Sequence, residues 1–271
     1  MGGEGLGFGR AVWTAESDDS SRHMEFLGLS PSAWAIVALV VLVASFAKGL
    51  TGFAFALLSV PFLLLVLPSK EVVLLSLLMV TWNGLLITVS SWRDIRWGKW
   101  LPLTVASLPG IPLGTYILYY IDQSVLRVLI AAVVIAFALL LLLGLTRRFR
   151  REGMASLFFG FVSGILSSST SLGGPPVVLF MVSQGWPKQA MRATLAGFLF
   201  ASSLLSLGSQ AIVGVLTSQT LFIGLLVAPV ALCGFYLSRK IVDRIDVALF
   251  RRIAVLMVMG SGIAVLVTEL V

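Results

Sequence analysis

The segment GILSSSTSLGGPPVVLF, residues 164–180, decides the interpretation of this chain, and KGLTGFAFALLSVP, residues 48–61, is its counterpart earlier in the sequence. Both are apolar stretches that glycine interrupts, and both contain proline. Glycine lets a chain leave helical geometry, and proline supplies no N–H to a helix. Inside a bilayer, interrupted backbone is tolerated only where protein or a water-filled cavity lines it. The two segments are therefore predicted to be broken or re-entrant helices.

The composition places the rest of the chain in a membrane. Of the 271 residues, 58% are hydrophobic and only 11% are charged, whereas a soluble domain carries roughly 25% charged residues. Residues 1–31 are polar and glycine-rich, and we expect a flexible tail there. The apolar segments that follow, most of them long enough to cross a bilayer, are 33–47, 51–66, 71–91, 100–120, 124–145, 153–170, 173–184, 190–213, 219–238 and 249–268. The predicted fold is an all-α polytopic membrane protein.

The residues on which most enzymes and metal sites depend are missing from the apolar segments. The single cysteine, Cys233, allows no intramolecular disulfide, and the single histidine, His23, lies in the tail. Acidic residues outside the tail stand at segment ends, whereas cation pumps and proton relays keep a carboxylate within the membrane. We therefore expect no enzyme activity, no catalytic residue and no metal site.

Basic residues indicate the orientation of the chain. One alternating path puts fifteen of the 19 Lys and Arg residues at turns on the same side: Lys48, Arg93, Arg96, Lys99, Arg147, Arg148, Arg150, Arg151, Lys188, Arg192, Arg239, Lys240, Arg244, Arg251 and Arg252. The positive-inside rule assigns that side to the cytoplasm, so both termini are expected to be periplasmic or extracellular. Because the formal charge of +7 encodes orientation in this way, we expect no binding to nucleic acid.

The chain also repeats itself. Three pairs of segments resemble each other at offsets of 120, 124 and 119 residues: 109–118 with 229–238, 121–129 with 245–253, and 67–73 with 186–192. The predicted path puts Asp122 at an outer turn and its counterpart Asp246 at an inner one, so the halves are inverted. We assign residues 32–146 to the first repeat and 147–271 to the second, within one membrane domain. Inverted repeats with matching broken helices favour a secondary transporter with a site near the midplane; a purely structural helical bundle is the alternative.

The polar groups at the two breaks fit a small anion. A helix that restarts offers N–H groups and the positive end of its dipole, which attract negative charge. Asn83 either lines the pathway or bonds to a neighbouring helix. Lys48 is interpreted as an orientation charge that snorkels to the surface, with a contact to the substrate as the alternative. The glycines alone fit close helix packing equally well. The candidate substrate-binding residues are Gly49, Thr51, Gly52, Asn83, Ser168, Ser169, Thr170, Gly173, Gly174, Pro175 and Arg192.

At these residues the sequence resembles the TauE/SafE sulfite exporter family. The stretch 160–195, with its Gly-rich break, Gly-Pro-Pro, turn and Arg-Ala-Thr, is similar to the second-half signature of that family, and 48–64 is similar to its first-half segment. The motif positions that carry over are Gly173, Gly174, Pro175, Pro176 and Arg192 in the second half and Gly49, Gly52 and Pro61 in the first. Where many members have more glycine, this chain has Ser-Ser-Ser-Thr-Ser and Phe-Ala-Phe, which leaves substrate size and identity open.

The resemblance implies a carrier in the cytoplasmic (inner) membrane for sulfite, an organosulfonate or a related anion, with no cofactor and with coupling to an ion gradient. We expect alternating access, and export follows only from the resemblance. An anion channel, and an uptake carrier for another small organic anion, are the alternatives. The expected partners are a small anionic substrate, the lipid bilayer, a coupling ion that is either a proton or sodium, and a second copy of the chain in a homodimer.

Overall fold

The computed structural model describes residues 31–143, 149 and 151–241, which are helical apart from short turns. A short 3-10 helix, Trp92–Asp94, joins the third α-helix of this part of the chain to the fourth. The helices are α1 (Pro31–Thr51), α2 (Phe55–Leu63), α3 (Ser69–Ser90), α4 (Trp97–Ser107), α5 (Gly110–Tyr120), α6 (Gln123–Leu143), α7 (Glu152–Thr170), α8 (Gly174–Ser183), α9 (Lys188–Val213) and α10 (Ser218–Ile241). All of the predicted tail except Pro31, the whole repeat segment 245–253 and the whole segment 249–268 lie outside the described residues.

The predicted all-α polytopic fold is confirmed at the level of candidate spans. In the described part of the chain, α1, α3, α7, α9 and α10 are each long and apolar enough to cross a membrane. The pair α4 and α5 makes a sixth span if the two are taken together. The apolar segment predicted over 100–120 consists of two helices, because the chain bends by 42° between them. Pro109, which has no N–H to donate, stands at the bend.

Close packing explains the glycines that lie inside α5 and α7. A Cβ on Gly164 would overlap the carbonyl oxygen of Ser107 on α4, and one on Gly114 would overlap that of Ile165 on α7. The same holds for the glycines one turn earlier on each helix, Gly160 and Gly110. These two G-x-x-x-G pairs let the backbones touch, as in many membrane bundles. For these glycines the packing interpretation is correct.

Helices α3 and α9 form a seam with a regular pattern of contacts. The hydroxyl oxygens of Thr81 and Ser203 lie 2.8 Å apart, and a Cβ on Gly84 would stand 3.1 Å from the Cβ of Phe200. Phe200 follows Thr81 by 119 positions, and Ser203 follows Gly84 by the same 119. Each contact is therefore the counterpart of the other under one sequence offset, as in a two-fold interface.

The chain divides into two compact units, residues 1–36 and residues 37–271. All the contacts used for the site and for the proposals lie within the second unit.

Candidate functional site

The helices that precede the two breaks, α1 and α7, end in the same way. Thr51 and Thr170 are the last residues of these helices. Thr51 donates its hydroxyl to the carbonyl of Ala47 at 2.9 Å and accepts the N–H of Phe53 at 3.3 Å. Thr170 donates to Leu166 at 2.8 Å and accepts the N–H of Leu172 at 3.4 Å. The two threonines hold the chain in matching turns, 119 positions apart.

The residue after each threonine turns the chain out of the helix. Gly52 has φ of 88°, and Ser171 has φ of 64°. Glycine adopts this left-handed conformation freely, whereas serine adopts it at a cost. Ser171 is the one residue other than glycine with positive φ in the part of the chain that the structure describes. The breaks therefore lie at 52–54 and 171–173, within the segments predicted from the sequence.

Short helices begin immediately after both breaks and are buried at their starts. Phe55 and Ala56 open α2, and Gly174 and Pro175 open α8, and all four are buried. The first N–H groups of a helix have no partner within it. Because Pro175 and Pro176 carry no N–H, the backbone donors at the start of α8 are the N–H groups of Gly173 and Gly174. Each break thus presents backbone donors in the interior of the protein.

The two breaks meet. A Cβ on Gly174 would stand 3.3 Å from the Cβ of Phe53 and 3.5 Å from Cδ1 of Leu199 on α9. Phe53 therefore lies against the start of α8, and Leu199 closes the same place from the side of α9. An apolar pair covers the backbone at the point where the two breaks approach each other.

Arg192 joins α9 to the first break. Its guanidinium donates to the carbonyl of Gly49 in the last turn of α1, and its side chain and backbone lie beside Gly52. Its Nε is buried without a hydrogen-bond partner. The structure thus brings Gly49, Gly52 and Arg192 together. Gly174 lies beside Phe53, which directly follows Gly52 in the chain.

Hydroxyls of the second break are used inside the protein. Ser169 donates to the carbonyl of Ile165 at 2.8 Å, as Thr170 does to Leu166. The Ser168 hydroxyl lies 2.6 Å from that of Thr115 on α5, and Ser163 donates to the carbonyl of Gly173. We expected hydroxyl donors for an anion here, but the protons of Ser169 and Thr170 are directed into their own helix, which leaves only their lone pairs outward.

The sequence comparison fits this geometry. The family model described as "Sulfite exporter TauE/SafE" matches residues 37–265. The chain belongs to the TauE/SafE sulfite exporter family. Membership makes it a multi-pass membrane transporter of sulfur-containing anions, and the family is not one of enzymes. No curated protein and no solved structure matches the chain.

Lys48 in this TauE/SafE chain is a charged residue that the sequence interpretation placed wrongly. Its side chain does not snorkel to the surface, because the residue is fully buried. Its ammonium donates to the carbonyl of Val80 on α3 at 2.6 Å, and no carboxylate of the described residues pairs with it. Hydropathy cannot distinguish the two cases, because the difference depends on the packing of α3 against α1. The one sequence signal was position, directly before the first glycine of the break.

Asn83 bonds between helices, which is one of the two roles considered for it. Its Nδ2 donates to Ser45 on α1 at 3.2 Å and to the carbonyl of Met79 at 3.0 Å. Its Oδ1 is buried without a partner. The contact lies one turn along α1 from Lys48, so Asn83 supports the helix that carries the first break.

Three side-chain contacts join turns that carry basic residues in this TauE/SafE chain. Gln189 at the start of α9 donates to Asp94 at 2.9 Å, and Lys99 pairs with Glu152 at 2.8 Å. Arg96 lies over the ring of Trp186, 5.0 Å from its centroid. These contacts join turns that the sequence path put on one side of the membrane.

Proposed function

We propose that the chain is a secondary transporter that moves sulfite, an organosulfonate or a related sulfur-containing oxyanion across the cytoplasmic membrane by alternating access, in the direction of export. The observation that carries this proposal is the meeting of the two alike breaks, where Phe53 of the first lies against Gly174 of the second. A binding site between two discontinuous helices is the usual arrangement in transporters built from repeats.

Charge and backbone donors together suit the proposed cargo. The helix starts offer N–H groups and the positive ends of two dipoles, and Arg192 adds a guanidinium whose Nε has no partner. A guanidinium can hold two oxygens of one anion. Lys48 adds a second cation close to the first break. The proposed binding residues remain Gly49, Thr51, Gly52, Asn83, Ser168, Ser169, Thr170, Gly173, Gly174, Pro175 and Arg192.

Two inverted halves, 32–146 and 147–271, would supply the alternating access. The reciprocal contacts on the seam between α3 and α9 support this arrangement. A second pair of reciprocal contacts also supports it. Gly114 of the first half packs on α7 of the second half, and Gly234 of the second half packs against the carbonyl of Leu42 on α1 of the first half. A carrier of this kind rocks one half against the other around the site.

The energy source is part of the proposal. The acidic residues in the described part of the chain stand in turns or first turns of helices, namely Glu71, Asp94, Asp122 and Glu152. A proton relay through a carboxylate deep in the membrane is therefore not proposed. Coupling would come from sodium or from a proton, which a weak-acid substrate such as hydrogen sulfite can carry itself.

Both termini would face the periplasm, and a homodimer is proposed as the assembled form.

Transport by the purified chain in liposomes tests the function. Vesicles loaded with unlabelled sulfite should take up labelled sulfite against its gradient by exchange, and the rate should saturate with concentration. A channel would give flux that neither saturates nor shows exchange. Acetate and phosphate in place of sulfite test for another substrate. Comparison of sulfite with methanesulfonate, whose charge is fixed, tests whether the substrate carries the proton, because only sulfite flux should then depend on pH.

A further inference from the structure

One face of α9 carries polar oxygens that the site above does not use. In the described part of the chain, Ser202 Oγ, Ser206 Oγ and Gln210 Oε1 are buried without a hydrogen-bond partner. All three residues are fully buried. They are spaced four residues apart, so they lie on the same face of the helix, each one turn beyond the last. Buried polar atoms without partners are rare because they cost free energy, so three in a row require an explanation.

Hydrogen bonds within α9 do not explain the unpaired serine oxygens. Hydroxyls in helices commonly donate to a carbonyl three or four residues earlier, and Ser203, next to Ser202, does so to Phe200 at 3.1 Å. Thr88 donates in the same way to Gly84 at 2.7 Å. Ser202 and Ser206 have the same option and do not take it. Their hydroxyl protons therefore remain available inside the protein.

Two contacts locate this face opposite the second break. Gln210 Nε2 donates to the carbonyl of Ser168 at 2.9 Å, and Leu199 lies beside Gly174, 3.5 Å from where its Cβ would stand. Residue 168 is thus beside 210, and residue 174 is beside 199. Ser202 and Ser206 lie between positions 199 and 210, so they are on the side of α9 that faces the chain between positions 168 and 174.

Ser171 lies in the middle of that facing stretch. It is 5% exposed, and its Oγ is also buried without a partner. The backbone at this position is left-handed, with φ of 64°, and the chain leaves the course of α7 here. Unpaired serine hydroxyls therefore lie on both of the facing stretches: Ser171 just after the end of α7, and Ser202 and Ser206 on α9.

We propose that Ser171, Ser202 and Ser206 form an uncharged subsite for an oxyanion, with the three hydroxyls donating to the three oxygens of a sulfite or sulfonate group. This inference rests on the proposed function and deepens it. Ser206 is fourteen residues beyond Arg192 on the same helix, which corresponds to about 21 Å along the axis. The subsite is therefore separate from the arginine, with Phe53 and Leu199 between the two, and neutral donors hold an anion there without trapping it.

Ligand-dependent thermal unfolding of the purified full chain tests the subsite. Methanesulfonate and sulfite are the probes, and chloride at the same ionic strength is the control. The variants are Ser202→Ala with Ser206→Ala, and separately Ser171→Gly, which keeps the backbone conformation that Gly52 has at the matching position. Ser203→Ala is the matched control, because that hydroxyl already donates to its own helix and accepts the hydroxyl of Thr81.

We expect the double variant to bind both probes at least roughly tenfold more weakly than the wild type, as judged from the concentration dependence of Tm. Ser171→Gly should weaken binding in the same direction, and Ser203→Ala should not. Without ligand, the double variant should melt at the same temperature as the wild type or higher, because it loses two unsatisfied polar groups.

Equal binding by the double variant and Ser203→Ala would overturn the subsite and leave the proposed function intact. A lower Tm of the unliganded double variant would also overturn it, because the hydroxyls would then have partners that stabilise the fold. If the wild type gains no stability from either probe, the anion-binding function itself fails, and the subsite fails with it.

Discussion

The ammonium of Lys48 on α1 donates to the backbone carbonyl of Val80 on α3, 2.6 Å away, in the buried interior of the bundle. A buried cation that has only a carbonyl beside it is expensive, because the interaction does not replace the lost hydration of the charge. We infer that the protein retains this cost for binding, because an anion bound at the first break would supply the counter-charge that Lys48 lacks.

Lys48→Met should therefore raise the stability of the protein without ligand and weaken its affinity for sulfite. The expected gain is about 1 kcal/mol or more, which is a few degrees in Tm for a chain of this size. Lys70→Met is the matched control, because Lys70 also donates to a carbonyl, that of Tyr119 at 3.0 Å, but at the exposed surface. A fall in Tm for Lys48→Met, beyond that of Lys70→Met, would contradict the inference.

Gly174→Leu should abolish transport while the protein still inserts and folds. The added side chain meets Phe53 and Leu199 at 3.3 and 3.5 Å, and overpacking of this kind costs roughly 1–3 kcal/mol. Sulfite exchange in liposomes measures the loss, and size-exclusion profiles report folding. Gly208→Leu on α9 is the control, because nothing lies within 4 Å of that position. If Gly174→Leu transports as fast as Gly208→Leu, the meeting of the breaks is not the site.

Arg192→Gln should weaken sulfite binding at least tenfold, since a hydrogen bond between charged groups is worth about 1.5–3 kcal/mol. Arg192→Lys should recover part of the affinity at most, because an ammonium cannot hold two oxygens in the fork of a guanidinium. Lys188→Gln, at an exposed position one turn earlier on α9, should bind as the wild type does. Equal affinities for Arg192→Gln and Lys188→Gln would mean that Arg192 does not bind the substrate and serves only as a charge that orients the chain in the membrane.

Single cysteines should settle the orientation in cells. In a Cys233→Ser background, the Gly98→Cys variant, which is altered in the first turn of α4 next to Lys99, should react with a membrane-impermeant maleimide only after the cells are opened. Ser124→Cys, at the start of α6, should react in intact cells. The reverse pattern would invert the assignment of the cytoplasmic side and of the termini.

Hydropathy and turn residues predicted most of the fold, because a span in lipid must be long, apolar and self-satisfied. Gly52 and the Gly-Gly-Pro-Pro stretch likewise located the breaks to within a few residues. The bend between α4 and α5 was missed, since proline is tolerated in many membrane helices when neighbours satisfy the freed carbonyls. Pro229, for example, lies inside α10 without ending it.

The candidate site was only partly accessible from sequence, because a hydroxyl or a cation is assigned by its partner and not by its position. Thr170 and Ser206 are both small hydroxyl residues in apolar helices, but Thr170 donates to its own helix and Ser206 has no partner. Lys48 resembles any lysine at a span end, and only the packing of α3 buries it. Such differences arise from tertiary contacts between segments far apart in the chain.

The seam between α3 and α9 has a consequence for the transport cycle. Two of its contacts are a hydrogen bond between small hydroxyls and the close approach of Gly84 to the backbone and Cβ of Phe200. In a rocking carrier, a seam of this kind is a suitable axis for the rotation of one half against the other. Since the pair Thr81 and Ser203 corresponds to the pair Phe200 and Gly84, the proposed exchange of conformations between the two halves would rebuild the same joint in the oppositely open state.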